Sequence, residues 1–253
     1  MTESFFLTLN SNARGEFDNV NRNSSFKTHL GKMITFESAF EVALVELRVP
    51  MTLENVHAKM NEILVISNNV NQQMLAKNYK LKTGYYHNTS MLITELNQLL
   101  GEFLYFEVNE NGFVTIDTEK DGGLSVFYFS EGLKHILGLE RGEIIGQKNV
   151  HEGALPINLN RGLHNTLNIN TNIIEHQLVD NTHNASLRIV STGIEKYNYG
   201  FDKMYSFQRL HYKKLNCSRL EYIEININSE NMEPASFTFG NSTVTLHFRR
   251  CLE

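Results

Sequence analysis

Two segments near the end of the chain alternate apolar and polar residues with a period of two. In residues 220–228, Ile223, Ile225 and Ile227 fall on one side, while Tyr222, Glu224, Asn226 and Asn228 fall on the other. In residues 243–249, Val244, Leu246 and Phe248 share a face. Successive strand side chains point to opposite sides, so both segments read as half-buried β-strands. Pro234 and the Gly240–Asn241 pair interrupt the pattern between them, as a non-pairing residue and a turn signal should.

The same reading places strands at residues 5–9, 25–30, 62–67, 163–169, 173–174, 185–190 and 204–210. Residues 40–49 are apolar on both faces and end at Pro50, which predicts a central strand covered on both sides. Residues 103–108, 112–117 and 124–129 read as a small meander with turns at 109–112 and 121–123. Leu92, Leu96, Leu99 and Leu100 recur at helical spacing before Gly101, predicting a helix over 90–100 with Asn88 or Thr89 at its start. A shorter helix is expected over 131–137, ending at Gly138. Periodicity is weak over 139–162, so this stretch is expected to be a surface loop or insertion. No repeat of 20 to 50 residues is evident, which argues against a propeller or solenoid. Many short strands with two small helices predict an all-β chain, a single jelly-roll β-sandwich with loop insertions, as one domain over residues 1–253.

The ending also resembles a known family. An Ile-rich strand, then Phe237-Thr-Phe-Gly240, then Val244-Thr-Leu-His-Phe-Arg-Arg250 is similar to the minor capsid (penton) protein of Maverick/Polinton elements, to which adintovirus and virophage vertex proteins are related. Residues 4–11, residues 40–47 followed by Pro50, residues 84–97 and residues 124–138 resemble that family in the same order along the chain. The resemblance implies a jelly-roll penton: five copies at each five-fold vertex of an icosahedral capsid, seated among double-jelly-roll major capsid proteins. It further implies a virion location after assembly inside the host cell.

Composition limits the other functional classes. With 41% hydrophobic and 20% charged residues the chain can bury a core. A net charge of −5 argues against a general grip on the phosphate backbone, which needs clustered Lys and Arg. The basic pairs Lys213–Lys214 and Arg249–Arg250 are too short for one and read as solvated strand ends. Cys217 and Cys251 stand in no metal-ligand spacing and read as free thiols of a reducing compartment. Neither a secretory leader pattern nor an 18-residue apolar run is present, so no membrane span is expected. The Asn-x-Ser/Thr triplets of this Asn-rich chain are therefore not read as glycosylation sites.

Catalytic spacing is missing. No histidine has His, Asp or Glu two residues downstream, the spacing that would put two metal ligands on one strand face. His176 and His183 lie in a polar loop-like region, and Glu221 and Glu224, three apart on a strand, are expected to face opposite ways. No nucleophile elbow, phosphate loop or dinucleotide glycine pattern occurs. Tyr85–Tyr86 and the Tyr197, Tyr199, Phe201 series could form stacking platforms, but strand-end packing is the plainer reading. The expectation is a structural capsid protein that assembles as a homopentamer, is no enzyme and uses no cofactor. It nominates no catalytic, cofactor-binding or metal residue and no specific nucleic acid. The alternative is a glycan- or receptor-binding jelly-roll module.

Overall fold

The computed structural model describes residues 4–12, 22–68, 74–118, 125–140, 150–179 and 182–251. Its strands run β1 (Ser4–Asn10), β2 (Ser25–Thr35), β3 (Phe40–Pro50), β4 (Glu62–Asn68) and β5 (Met74–Lys80), followed by helix α1 (Thr89–Leu100). Then come β6 (Tyr105–Val108), β7 (Val114–Asp117), β8 (Ser125–Phe129), helix α2 (Glu131–Leu137) and β9 (Val150–Glu152). The chain continues with β10 (Thr166–Thr171), β11 (Gln177–Val179), β12 (Thr182–Asn184), β13 (Ser186–Ser191) and β14 (Asp202–Ser206). It ends with β15 (Lys213–Lys214), β16 (Arg219–Ser229) and β17 (Thr243–Arg250).

Contacts divide the chain into two compact units, one of residues 1–53 and 164–253 and the other of residues 54–163. A single domain over 1–253 was expected, with an insertion near 139–162. Residues 54–163 instead bury a core of their own, and the expected insertion contributes β9 and a 3-10 turn (Leu159–Gly162) to that unit. Residues 141–149 of it lie outside the described residues, as does the turn expected at 121–123.

The first unit is the sandwich. One sheet has the order β1-β17-β3-β14, with β15 also on β3, and the other has the order β13-β10-β16-β2. Renumbering its eight main strands in chain order gives 1-8-3-6 and 2-7-4-5, the double Greek key of a jelly roll. The expected fold class is therefore the observed one, and the second unit is inserted between its third and fourth strands.

The inward residues follow from strand parity. Val244, Leu246 and Phe248 of β17 are buried opposite Leu47, Leu44 and Val42 of β3. Ile223, Ile225 and Ile227 of β16 are buried in the facing sheet beside Phe26 of β2 and Leu167 and Ile169 of β10. A register shift leaves Val45 as an extra residue in β3. Such a bulge switches the inward parity from Val42 and Leu44 to Leu47 and Val49, which is why this segment reads as apolar on both faces. Phe5 stacks on Phe248 at 4.9 Å, and Phe36, from the connection between β2 and β3, packs tilted against Phe40 at 4.8 Å, so rings of the first sheet and of that connection close one end. On the side where β14 and β13 are edges, Tyr205 Oη donates to the Ser191 carbonyl (2.9 Å) and Lys203 Nζ to that of Thr192 (2.8 Å).

The second unit holds two three-stranded sheets, β5-β4-β8 and β6-β7-β9. The meander expected from residues 103–129 is corrected here. Strands β6 and β7 pair as a hairpin, but β8 pairs with β4, and β9 takes the other side of β7. Helix α1 buries Leu92, Leu96 and Leu100, and Asn88 caps it by accepting from Met91 N at 2.9 Å. Gly101 closes it in a right-handed conformation, whereas Gly138 after α2 takes the left-handed one. The unit's two chain ends lie side by side, since a Cβ on Gly162 would fall 1.8 Å from the Asn55 carbonyl oxygen.

Candidate assembly surfaces

The outer face of the β1-β17-β3 sheet carries an ordered cluster. Phe6 stacks on His247 at 4.4 Å, although 60% of Phe6 is exposed. Tyr212, from the segment before β15, bonds through its hydroxyl to His247 Nδ1 at 2.7 Å. The Arg249 guanidinium lies 3.5 Å above the Tyr212 ring, and its Nε donates to Glu41 Oε1 at 2.6 Å. Partial burial, aided by Arg249, holds the His247 ring below its usual 6.5. A neutral ring can accept the Tyr212 hydroxyl. Aromatic rings and an arginine fixed by their neighbours lose little freedom on contact, and such residues are enriched in protein interfaces. Arg249, expected as a solvated strand end, is instead engaged. Lys213 also has a partner, since its Nζ donates to Gln177 Oε1.

At one end of the sandwich, a cavity of about 700 Å³ is walled by residues 36–40, Glu175, residues 214–218 and Cys251. Backbone bonds frame it: Phe36 N donates to Ser218 O, Leu215 N to Phe40 O and Cys251 N to Ala39 O, at 2.9, 3.0 and 2.9 Å. Both cysteines are free and both line it. Burial pushes the Cys217 thiol up, and no histidine is in the lining to act as its base. A thiol held protonated in this way is a poor nucleophile.

The other residues singled out in the sequence are dispersed. His176 and His183 are exposed, His183 paired with Leu178 in the β11-β12 hairpin. Among the described residues, no group of three or more His, Cys, Asp or Glu side chains converges. Glu221 sits at an irregular stretch where Leu220 pairs with Ile34 and Tyr222 with His29. Both Glu221 and Tyr222 are exposed there, so strict alternation fails at that point. Tyr86 is buried, bonds to Lys82 O at 2.8 Å, and is pushed up to about 12 by burial and by Glu95. The Tyr197 hydroxyl accepts from Leu53 N at 2.7 Å, and that of Tyr199 bonds to Thr238 Oγ1 at 3.0 Å. These three rings fix loops, while Phe201 is exposed. Sequence reasoning missed Phe6, Tyr212 and His247 as a cluster because they come from three distant segments.

No protein-family model matches the sequence, and no curated protein matches it. Among solved structures, the chain is similar to the crystal structure of the mavirus penton protein, with a TM-score of 0.53 and 11% identity over 99% of this chain and 100% of that one. It is also similar to a chain in the cryo-electron microscopy structure of the Sputnik virophage, with a TM-score of 0.47 and 10% identity over 99% and 98% of the two chains. The likeness to the mavirus protein is one of fold, and it runs through the sandwich and the inserted unit alike.

Proposed function

We propose that this chain is a structural minor capsid protein whose activity is assembly, five copies forming a penton at each five-fold vertex of an icosahedral capsid. The observation that carries this reading is the eight-strand jelly roll, joined to a full-length likeness in fold to a penton protein. A closed ring of five satisfies a head-to-tail contact on every copy, which an open array does not. The sandwich suits that duty, because its aromatic-closed end and the side-chain ties from β14 to the end of β13 and to Thr192 just after it resist opening. The reading extends to a double-jelly-roll major capsid protein as second partner, to a virion location and to assembly inside the host cell. It includes no catalytic, metal or cofactor site. The alternative of a glycan-binding module gains little support, because Tyr86, Tyr197 and Tyr199 already spend their hydroxyls on the fold.

Co-expression with the major capsid protein, followed by imaging of the particles, tests this reading. Density for the chain is expected at the five-fold vertices. Density elsewhere, or stoichiometric metal with measurable turnover, would overturn it.

A further inference from the structure

Among the described residues the sandwich has four sheet edges, formed by β1, by β2, by β13 and by β14 with β15. An edge leaves N–H and C=O groups unpaired, and native sheets protect it with charge, bulges or a covering segment. Three of the four are protected. Strand β2 carries Lys27 and Lys32, with Gly31 at a φ of +64° between them and a register shift against β16. Strand β13 carries Arg188, whose guanidinium donates to the Arg209 carbonyl at 2.9 Å. Strand β14 is five residues long and holds Asp202 and Lys203, and β15 is the pair Lys213–Lys214. Strand β1 has none of these devices. Its seven residues include no charge, proline or glycine and keep one register with β17 from end to end. Phe6, near its middle, is 60% exposed, and Phe5 and Leu7 are only partly covered.

We propose that the β1 edge pairs with the β1 edge of a second copy, antiparallel about a two-fold axis at Phe6. The open backbone of an edge recognises another strand through main-chain hydrogen bonds. A two-fold contact further requires a surface that is its own complement, because residue i meets residue j and j meets i. Ser4-Phe-Phe-Leu-Thr8 has that property, since it reads polar, apolar, apolar, apolar, polar from either end. Opposed residues of paired strands share a face. About Phe6, the outward Ser4 therefore faces Thr8 of the other copy, the inward Phe5 faces its Leu7, and Phe6 faces its own counterpart. The exposed ring gains an aromatic cross-strand partner, a favourable pairing. A strand of another protein would have to supply this pattern independently, whereas a second copy carries it by construction. A ring with five-fold symmetry alone has no such axis, so the pair is a state of the free chain and distinct from the penton contact proposed above.

Disulfide trapping in the full chain, with Cys217→Ser and Cys251→Ser as background, tests partner and register together. Opposed residues of antiparallel strands have Cα atoms about 4.5–5.5 Å apart, within the span that a disulfide bridges. Under mild oxidation an equimolar mixture of Ser4→Cys and Thr8→Cys chains is expected to give a dimer of twice the mass of the chain. Either variant alone should stay monomeric, because each then faces an unsubstituted residue. Adding Phe6→Lys to both chains should abolish the dimer, with circular dichroism melts showing that the fold stands; if that variant unfolds, Phe6→Ser takes its place. No dimer from the mixture, equal dimer from either variant alone, or a dimer that survives the Phe6 substitution would overturn the proposal. Five-fold density in assembled particles scores the ring separately, so either reading can fail while the other stands.

Discussion

Phe248→Ala is the sharpest test of the sandwich. The ring is fully buried, stacks on Phe5 at 4.9 Å, lies 6.4 Å from Phe36 and sits on a strand paired on both sides, with Phe5 of β1 and Val42 of β3. Removing it deletes the burial of a phenylalanine and leaves a cavity that paired strands cannot close by shifting. Such truncations cost about 3–5 kcal/mol, or roughly 10 °C in melting temperature at about 2–4 °C per kcal/mol for a chain of this size. Urea unfolding followed by circular dichroism would read the loss as a lower midpoint at constant slope. The neighbouring Phe6 supplies the control. It points outward and is mostly exposed, so Phe6→Ala should cost well under half as much. A double-mutant cycle between Phe5 and Phe248 should recover about 0.5–1.5 kcal/mol of coupling for the stacked pair. A Phe248→Ala midpoint equal to wild type, or equal to that of Phe6→Ala, would refute the inward parity assigned to β17 and with it the closing strand.

Two further outcomes follow from local geometry. His164 is held below 6.5 because burial outweighs Glu230 and Glu233, and His247 is held low by burial and Arg249. Near and below 6.5 the unfolded chain therefore binds more protons than the folded one, and stability should fall as pH drops through that value. Melting curves of His164→Gln/His247→Gln should lose less between pH 7 and 5 than wild type; equal losses would reject the assignment. Gly138 has a φ of +75°, and a Cβ there would lie 1.9 Å from Leu155 O, whereas Gly31 at +64° has open space around it. Gly31→Ala should cost only the left-handed strain of about 1–2 kcal/mol, and Gly138→Ala clearly more, measured by thermal melts of the two variants side by side.

The legible parts of the fold were those where one face is buried and the other wet. The alternation of Ile223, Ile225 and Ile227, and of Val244, Leu246 and Phe248, maps directly onto inward and outward positions. Strand β5 left no such mark, because nearly all of Met74–Lys80 is exposed and no side of it repeats. Pairing was less legible than strand position. Nothing local in residues 125–129 says that their partner is β4, some sixty residues earlier, or that the partner of β7 is the three-residue β9. The bulge at Val45 disguised a switch of parity as burial on both faces. Of the surfaces, the β1 edge had half a signal. Residues 4–10 carry no charge, but only the order of the sheet shows that they form an edge. The cluster of Phe6, Tyr212, His247 and Arg249 had none, since only the folded sheet assembles it.

The close approach of Gly162 to Asn55 bears on the order in which the chain folds. For the third and fourth main strands of the sandwich to join a common core, a loop of about 110 residues must be closed. If that loop is still flexible, closing it costs roughly 3.5 kcal/mol more than closing one of two residues, at about 0.6 kcal/mol per doubling. Once residues 54–163 have formed their own core, their ends are already together and the sandwich meets only a short hairpin-like connection. Synthesis delivers the pieces in the helpful order, because this unit is complete before β10 leaves the ribosome. A mutation that slows its folding, such as one at Gly162, should therefore delay the sandwich as well, although it touches none of the sandwich's strands.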